Sequence, residues 1–469
     1  MHKNHRKLCF LLLANVALNS VIFSARATDQ LHGEALTLNV VVEQAQLNDP
    51  WLISNRHTQD SIESLSIAAG TLPDPKINLG LANIATDTFD FSQEGMTQFK
   101  VGVSQMFPRG DSLAIKKKQL AIVGSQFPFQ RQDRQARVAV VVSHLWLDAY
   151  KAQQSIALIE NDRTLFEQLA DVAQASYSST LGRTRQQDIV RAQLELTRLD
   201  DRLTRLNQKK EMSEKKLYEW LNEGRFHKTD VNKLSIPEFN IATQLPSIKM
   251  INETLYTSRS DVSQQKLYQF LSNHPAVMVF DKKIEAKKVG VDLAKQKYKP
   301  EWGISAGYGV RDDSPLGQER SDLFSIGVSF DIPIFTSNRQ DKQVQSAVSE
   351  ASAIKTEKWQ FVRKLMAAFE TQRTQLLRLN ERQTLYNERL LPQMHNQAEA
   401  SLTAYTNDDG DFAEVVRSRI AELNASIDAL EIDVERQKSI VQLNYFLMKN
   451  VKEITLDNHQ TTQSLGEKQ

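Results

Sequence analysis

Cysteine is nearly missing from this 469-residue chain. Its single thiol, Cys9, lies in an apolar run (Leu8 to Phe23) that follows the basic segment His2 to Lys7 and precedes Ala25-Arg26-Ala27. That order of basic, apolar and small residues predicts a secretory signal over 1–27, cleaved after Ala27. The mature chain would then hold no thiol, which excludes disulfides. A lipid anchor is excluded as well, because it needs a cysteine just after the apolar run and Cys9 comes too early. An excess of either charge is also missing. The formal net charge is +1, and loss of Lys3, Arg6, Lys7 and Arg26 with the signal brings it to −3. A dedicated nucleic-acid binder would carry a basic surplus. Beyond the signal no run approaches the roughly 18 apolar residues of a membrane helix; "VAVVVSHLWL" soon turns polar. An exported chain without a membrane helix leaves two classes: a soluble secreted or periplasmic protein, or a membrane β-barrel.

Catalytic constellations are missing too. The mature histidines (His32, His57, His144, His227, His274, His395 and His459) are scattered, with no pair at ligand spacing. Met96 and Met106 invite comparison with thioether sites for copper(I), against the plainer reading that methionine fills space. No Walker-type glycine loop is present, so a partner must supply energy. The expectation is a non-enzyme with no cofactor and no resident metal.

What is present is repetition. "FKVGVSQMFP" (99–108) returns as "FSIGVSFDIP" (324–333), 225 positions later, and the same offset links Pro50 with Pro275 and Pro75 with Pro300. The chain reads as two divergent copies of one unit: 28–221 and 263–450, joined by a linker over 222–262 and followed by a polar tail, 451–469. Each copy opens with a helical stretch, the first over about 36–70. Each then shows two alternating segments, 76–85 with 97–107, and 302–310 with 322–332. Val101 and Ile326 fall on apolar faces; Gly102 and Gly327 fall on small, polar ones. This pattern fits barrel strands with outward loops at 86–96 and 311–321, or a soluble hairpin packed on helices.

A helical hairpin follows each strand pair, over 111–221 and 338–450. Val138, Leu145, Ala152, Ile159, Phe166 and Ala173 recur every seven residues, beside a second track of Val142, Ala149, Ile156, Ala170 and Tyr177. Val362, Phe369 and Leu376 repeat the theme, and both series predict coiled-coil seams. Pro128 and Pro392 interrupt the long helices. Gly182 and Gly410 mark the reversals as helix-closing glycines. Thr184 with Gln187, and Asp411 with Glu414, mark new helix starts.

In this order and duplication the chain resembles the TolC-like outer-membrane efflux proteins over about 36–450. The resemblance rests on the paired "NDP"/"NHP" starts, "LPDP", "VSQMFPRG", and the reversals continuing into "QQDIVRAQ" and "FAEVVRSR". "EGMTQ" with "VSQMFPRGD" further resembles the heavy-metal branch. The resemblance implies a mainly α fold with membrane β, four barrel strands and long coiled-coil helices per protomer, and a trimeric β-barrel continued by an α-helical tunnel. It places 222–262 at the equator. It also implies an outer-membrane location extending into the periplasm, contact with lipid, and service as an exit duct for metal ions or drugs. The implied partners are a periplasmic adaptor and an inner-membrane pump, with no nucleic acid. Physics alone reaches only that several chains must close the barrel, since four strands cannot; two copies would give a filled barrel and three a lumen. A periplasmic coiled-coil adaptor is the rival reading. The resemblance puts the reversals at the periplasmic mouth. There Arg183 and Arg185 oppose Asp408, Asp409, Asp411 and Glu414, either as solvated turn residues or as a latch within or between protomers.

Overall fold

The computed structural model describes residues 35–178, 185–221, 240–251, 263–407 and 410–448. The expected signal (1–27), the tail (451–469), Gly182, Arg183, Thr184, Asp408 and Asp409 lie outside them. The chain is mostly helical with one small antiparallel sheet, and its contacts divide it into two units.

The sheet unit comprises 51–133 and 268–365. Helix α1 (Leu38–Asn48) ends just before Pro50, the first residue of α2 (Pro50–Ala68). The expected stretch 36–70 is thus two helices, with the proline where its missing N–H costs no hydrogen bond. The strands are β1 (Lys76–Ala82) and β2 (Gln98–Phe107), then β3 (Trp302–Val310) and β4 (Leu323–Phe330) after α6 (Gln264–Ser272) and α7 (Pro275–Lys295). They pair in the order β1-β2-β3-β4, every pair antiparallel, so the two hairpins join through β2 and β3. β1 stops three residues short of its expected end. Asn83, at φ 57°, turns the chain away there, and its side chain donates to the Met96 carbonyl across the loop. Helix α3 (Ser112–Gly124) leaves the sheet through Gly110, whose φ of +47° is left-handed and suits glycine.

Pro128 does not kink a continuous helix. The helix breaks at Ser125–Gln126, and α4 (Phe127–Ser178) begins with Pro128 in its first turn, among N–H groups that have no intrahelical partner anyway. Pro392 is handled differently. Helix α8 (Gln340–Leu385) passes through five π-helical residues, Tyr386–Leu390, into α9 (Leu391–Thr406). The Leu391 N–H donates to the Tyr386 carbonyl, five residues back. The wider turn admits the proline ring, which a tight turn would drive into the preceding carbonyl.

The helical unit comprises the chain up to Pro50, then 134–267 and 366–448. It holds most of α4, all of α5 (Gln186–Leu221), α9, and α10 (Phe412–Phe446). The seven-residue seam of α4 is its core: Val138, Ala152, Ile159, Phe166 and Ala173 are all buried. The second track is buried at Val142 and Ala149, and by Tyr177 the residue is exposed. Ile159, Phe166 and Ala173 pack with Ala192 and Leu199 of α5 and with Phe412, Val416 and Leu423 of α10. Val138, Val142 and Trp146 pack instead with Val41, Leu217 and Ile241. There Leu36 pairs with Ile241 in a parallel bridge, and the Trp146 indole N–H donates to the Leu36 carbonyl at 2.9 Å. The described part of the linker is therefore packed onto the helices.

Candidate functional site

Register decides what each face of the sheet presents. Leu79, Val101, Tyr308 and Phe324 stand side by side across all four strands, as do Ile77, Val103, Ala306 and Ile326. Phe107, Trp302 and Phe330 close one end of this face, with the Trp302 and Phe330 rings 4.9 Å apart. Such a face in a soluble protein would be covered. Here Ile77, Leu79, Phe324 and Ile326 are each about 70% exposed. The opposite face runs through Asn78, Gly102, Gly307 and Ser325, and through Lys76, Ser104, Ser305 and Gly327. Val101 and Ile326 lie on the apolar face, and Gly102 and Gly327 on the small one, as the alternation predicts. The strand ends are tied together by Arg109. Its guanidinium pairs with Asp331, approaches Glu301 at 3.8 Å, and donates to the Lys299 carbonyl at 2.9 Å.

At the helix tips, α5 starts one residue later than Thr184 and Gln187 imply. Arg185 is the residue before the helix, and the Asp188 carboxylate accepts its N–H at 2.9 Å. Asp411 caps α10 as expected, accepting the Ala413 N–H at 3.2 Å. Glu414 does not close a reciprocal box; it turns along its own helix to Arg417 at 2.6 Å. Gly410 has no positive φ and so is not a left-handed helix cap. Its need is space: a Cβ there would sit 2.6 Å from the Tyr405 amide nitrogen. The described members of the opposed charges (Arg185, Asp411 and Glu414) thus make their observed bonds inside their own turns, not with one another.

Two groups that sequence reasoning passed over are visible in the structure. Arg419 binds Glu399 at 2.6 Å and Glu422 at 2.9 Å, linking α9 to α10, while His395 Nδ1 meets Glu422 at 2.7 Å. Burial opposes the Arg419 charge, yet the two carboxylates hold its pKa above the ordinary value, and Arg419 in turn lowers that of Glu399. Lys76 and Lys100 are the second group. Both share the small-residue face with Gly102. The alternation that separates Val101 from Gly102 already contained that placement. Among the described residues no three metal-ligating side chains gather at one point, and no helix is long and apolar enough to cross a membrane.

No protein-family model and no curated protein sequence matches the chain. Solved structures do. CusC, studied for folding and transmembrane channel formation, superposes with a TM-score of 0.67 at 13% identity, over 88% of this chain and 92% of that one. The outer membrane protein VceC of Vibrio cholerae gives 0.69 at 12%, over 88% and 96%. The open state of the Neisseria gonorrhoeae outer membrane channel MtrE gives 0.66 at 11%, over 87% and 88%. The chain therefore has the fold of the TolC-like channels.

Proposed function

We propose that this fold serves here as the outer-membrane channel of a tripartite efflux system, a passive duct for solutes such as metal ions or drugs that a pump delivers. The observation that carries the reading is the exposed apolar face, aligned in register across four strands. A bilayer covers such a face, and strands that are apolar outside and small or polar inside form membrane barrels. A sheet in lipid cannot keep open edges, because unpaired backbone groups there cost several kcal/mol each. β1 and β4 are both edges, so other copies must close them. Three copies of the chain would supply twelve strands and enclose a lumen, which two copies would fill with side chains.

The helical unit then extends into the periplasm, where its tips meet an adaptor that joins the duct to an inner-membrane pump. Since the described tip charges bond within their own turns, a latch formed by Arg183, Arg185, Asp408, Asp409, Asp411 and Glu414 would run between protomers. One exposed ion pair contributes only ~0–1 kcal/mol, so the closed state would rest on three-fold repetition. Fractionation with native mass measurement tests the duct. The protein should leave the outer membrane only with detergent, as a trimer that conducts in planar bilayers. A water-soluble monomer would refute it. Reversal of the acids (Asp408→Arg with Asp409→Arg) should raise single-channel conductance, and an unchanged value in a correctly assembled trimer rejects the latch.

A further inference from the structure

The four strands hold two charged residues, Lys76 and Lys100, and no acid. Both cations project from the same face. Lys76 stands opposite Ser104 at the end of β1, and Lys100 stands in mid-sheet between Gly80 of β1 and Gly309 of β3. The neighbours of Lys100 on that face are Gly80, Gly102, Gly307 and Gly309, with the uncharged polar side chains of Asn78, Gln98 and Ser325. A Cβ added to Gly307 would meet Lys100 Cε at 3.4 Å, so the lysine stem lies over bare glycine backbone on the adjacent strand. No ion pair among the described residues engages its ammonium, and the side chain is exposed. The acids nearest the sheet in sequence lie beyond the strand ends. Asp87, Asp90, Glu94, Asp312, Asp313, Glu319 and Asp322 are in the loops at one end, and Asp74, Asp111, Glu301 and Asp331 are at the other.

A lysine kept without a carboxylate inside a central strand is costly where a membrane is near, unless that face meets water. Resting on the channel reading above, we infer that Lys100, seconded by Lys76, is the selectivity-determining residue of the barrel lumen and that the duct favours anionic solutes. Three-fold closure repeats Lys100 into a ring of like charge on a wall that, around it, is glycine and uncharged polar groups, so no acid on that wall screens the ammonium groups from a passing ion. A passage lined by one sign of charge within low-dielectric walls raises the local concentration of the opposite ion. At physiological salt the Debye length is about 8 Å, so the ring acts on ions within the lumen and is not felt far outside it. The cargo class that follows is anionic or neutral organic solute. A divalent cation would be disfavoured unless it travelled bound to an anionic carrier.

Reversal potentials of the full-length trimer in planar bilayers under a potassium chloride gradient test this. The wild-type channel should prefer chloride. Lys100→Glu should move the anion-to-cation permeability ratio towards cations by on the order of threefold or more, with Lys100→Gln intermediate. Because the mature chain would be free of cysteine, Lys100→Cys offers a chemical rescue. A cationic methanethiosulfonate should restore the preference for chloride and an anionic one should deepen the loss. A conducting channel whose selectivity ignores Lys100→Glu and both reagents overturns the lysine ring and leaves the duct standing. A wild-type chain that forms no channel at all overturns the duct, and the ring with it.

Discussion

Burial holds the His144 imidazole below its ordinary pKa, and its Nε2–H donates to the Lys438 carbonyl at 3.3 Å. The Lys438 ammonium, although burial opposes it, is held above its usual value by Asp148 at 2.7 Å and Glu435 at 2.8 Å. A histidine whose folded pKa lies below its unfolded one, about 6.5, contributes stability that is full above that pH and is lost as pH falls through the folded value. The melting temperature in detergent should therefore drop on acidification from pH 7 to 5, and His144→Gln should flatten that slope. An unaltered slope would remove His144 from the acid response. Gly410→Ala tests a steric need: with the Tyr405 and Ala404 backbone in the way, the tip should lose about 1–3 kcal/mol, read as faster amide exchange around 404–412. At this scale the sequence showed which residues punctuate the chain but not why. A glycine before a helix start is visible, whereas the backbone that crowds it comes from three-dimensional closure of the turn. The start of α5 lies one residue beyond the signal in the sequence because Asp188, not Gln187, reaches back to the preceding N–H.

Periodicity made the elements easier to read than their ends. The α4 seam is a seven-residue recurrence that only a packed helix uses, and all but one of its named positions are buried. The strands were equally legible, since apolar residues alternating with glycine and polar ones suit neither a helix nor a loop. Their limits depend on local torsion, such as the left-handed Asn83, which composition does not encode. Pro128 does interrupt the long helix, but as part of the opening turn of a new one, after two residues of non-helical chain. The faces of the sheet give an element-scale prediction. Val101→Arg or Ile326→Arg should cost about 2–4 kcal/mol near the membrane midplane and reduce inserted trimer on gels. Gly102→Arg or Gly327→Arg should insert and alter conductance instead. Normal assembly of the first pair would mean that the faces are reversed.

For the whole molecule the decisive question is closure. Within one chain β1 and β4 are separated by two strands, about 14 Å at strand spacing, too far for a disulfide, which spans at most ~7 Å between Cα atoms. Cysteine pairs in one chain, one scanned through 77–81 of β1 and the other through 324–328 of β4, should therefore crosslink only between chains, giving a ladder that ends at trimer. Crosslinks confined to one chain, or a ladder ending at dimer, would refute the twelve-strand barrel. The sheet and its faces were legible in the sequence because one strand's pattern suffices to assign its two sides. The helix tips were less so, since their bonding depends on which charges the turns bring within reach. The π-helical segment in front of Pro392 has a last consequence for assembly. It inserts one residue into the count, so that the buried series of Leu376 and Leu379 resumes at Ala398 and Ser401, 22 residues on, where an unbroken seven-residue rhythm would put it at 397 and 400. Two helices with an unbroken seven-residue rhythm can slip past each other by one repeat and still fit. A change of phase partway along removes that freedom, as a single odd notch on a ruler fixes where it can be laid.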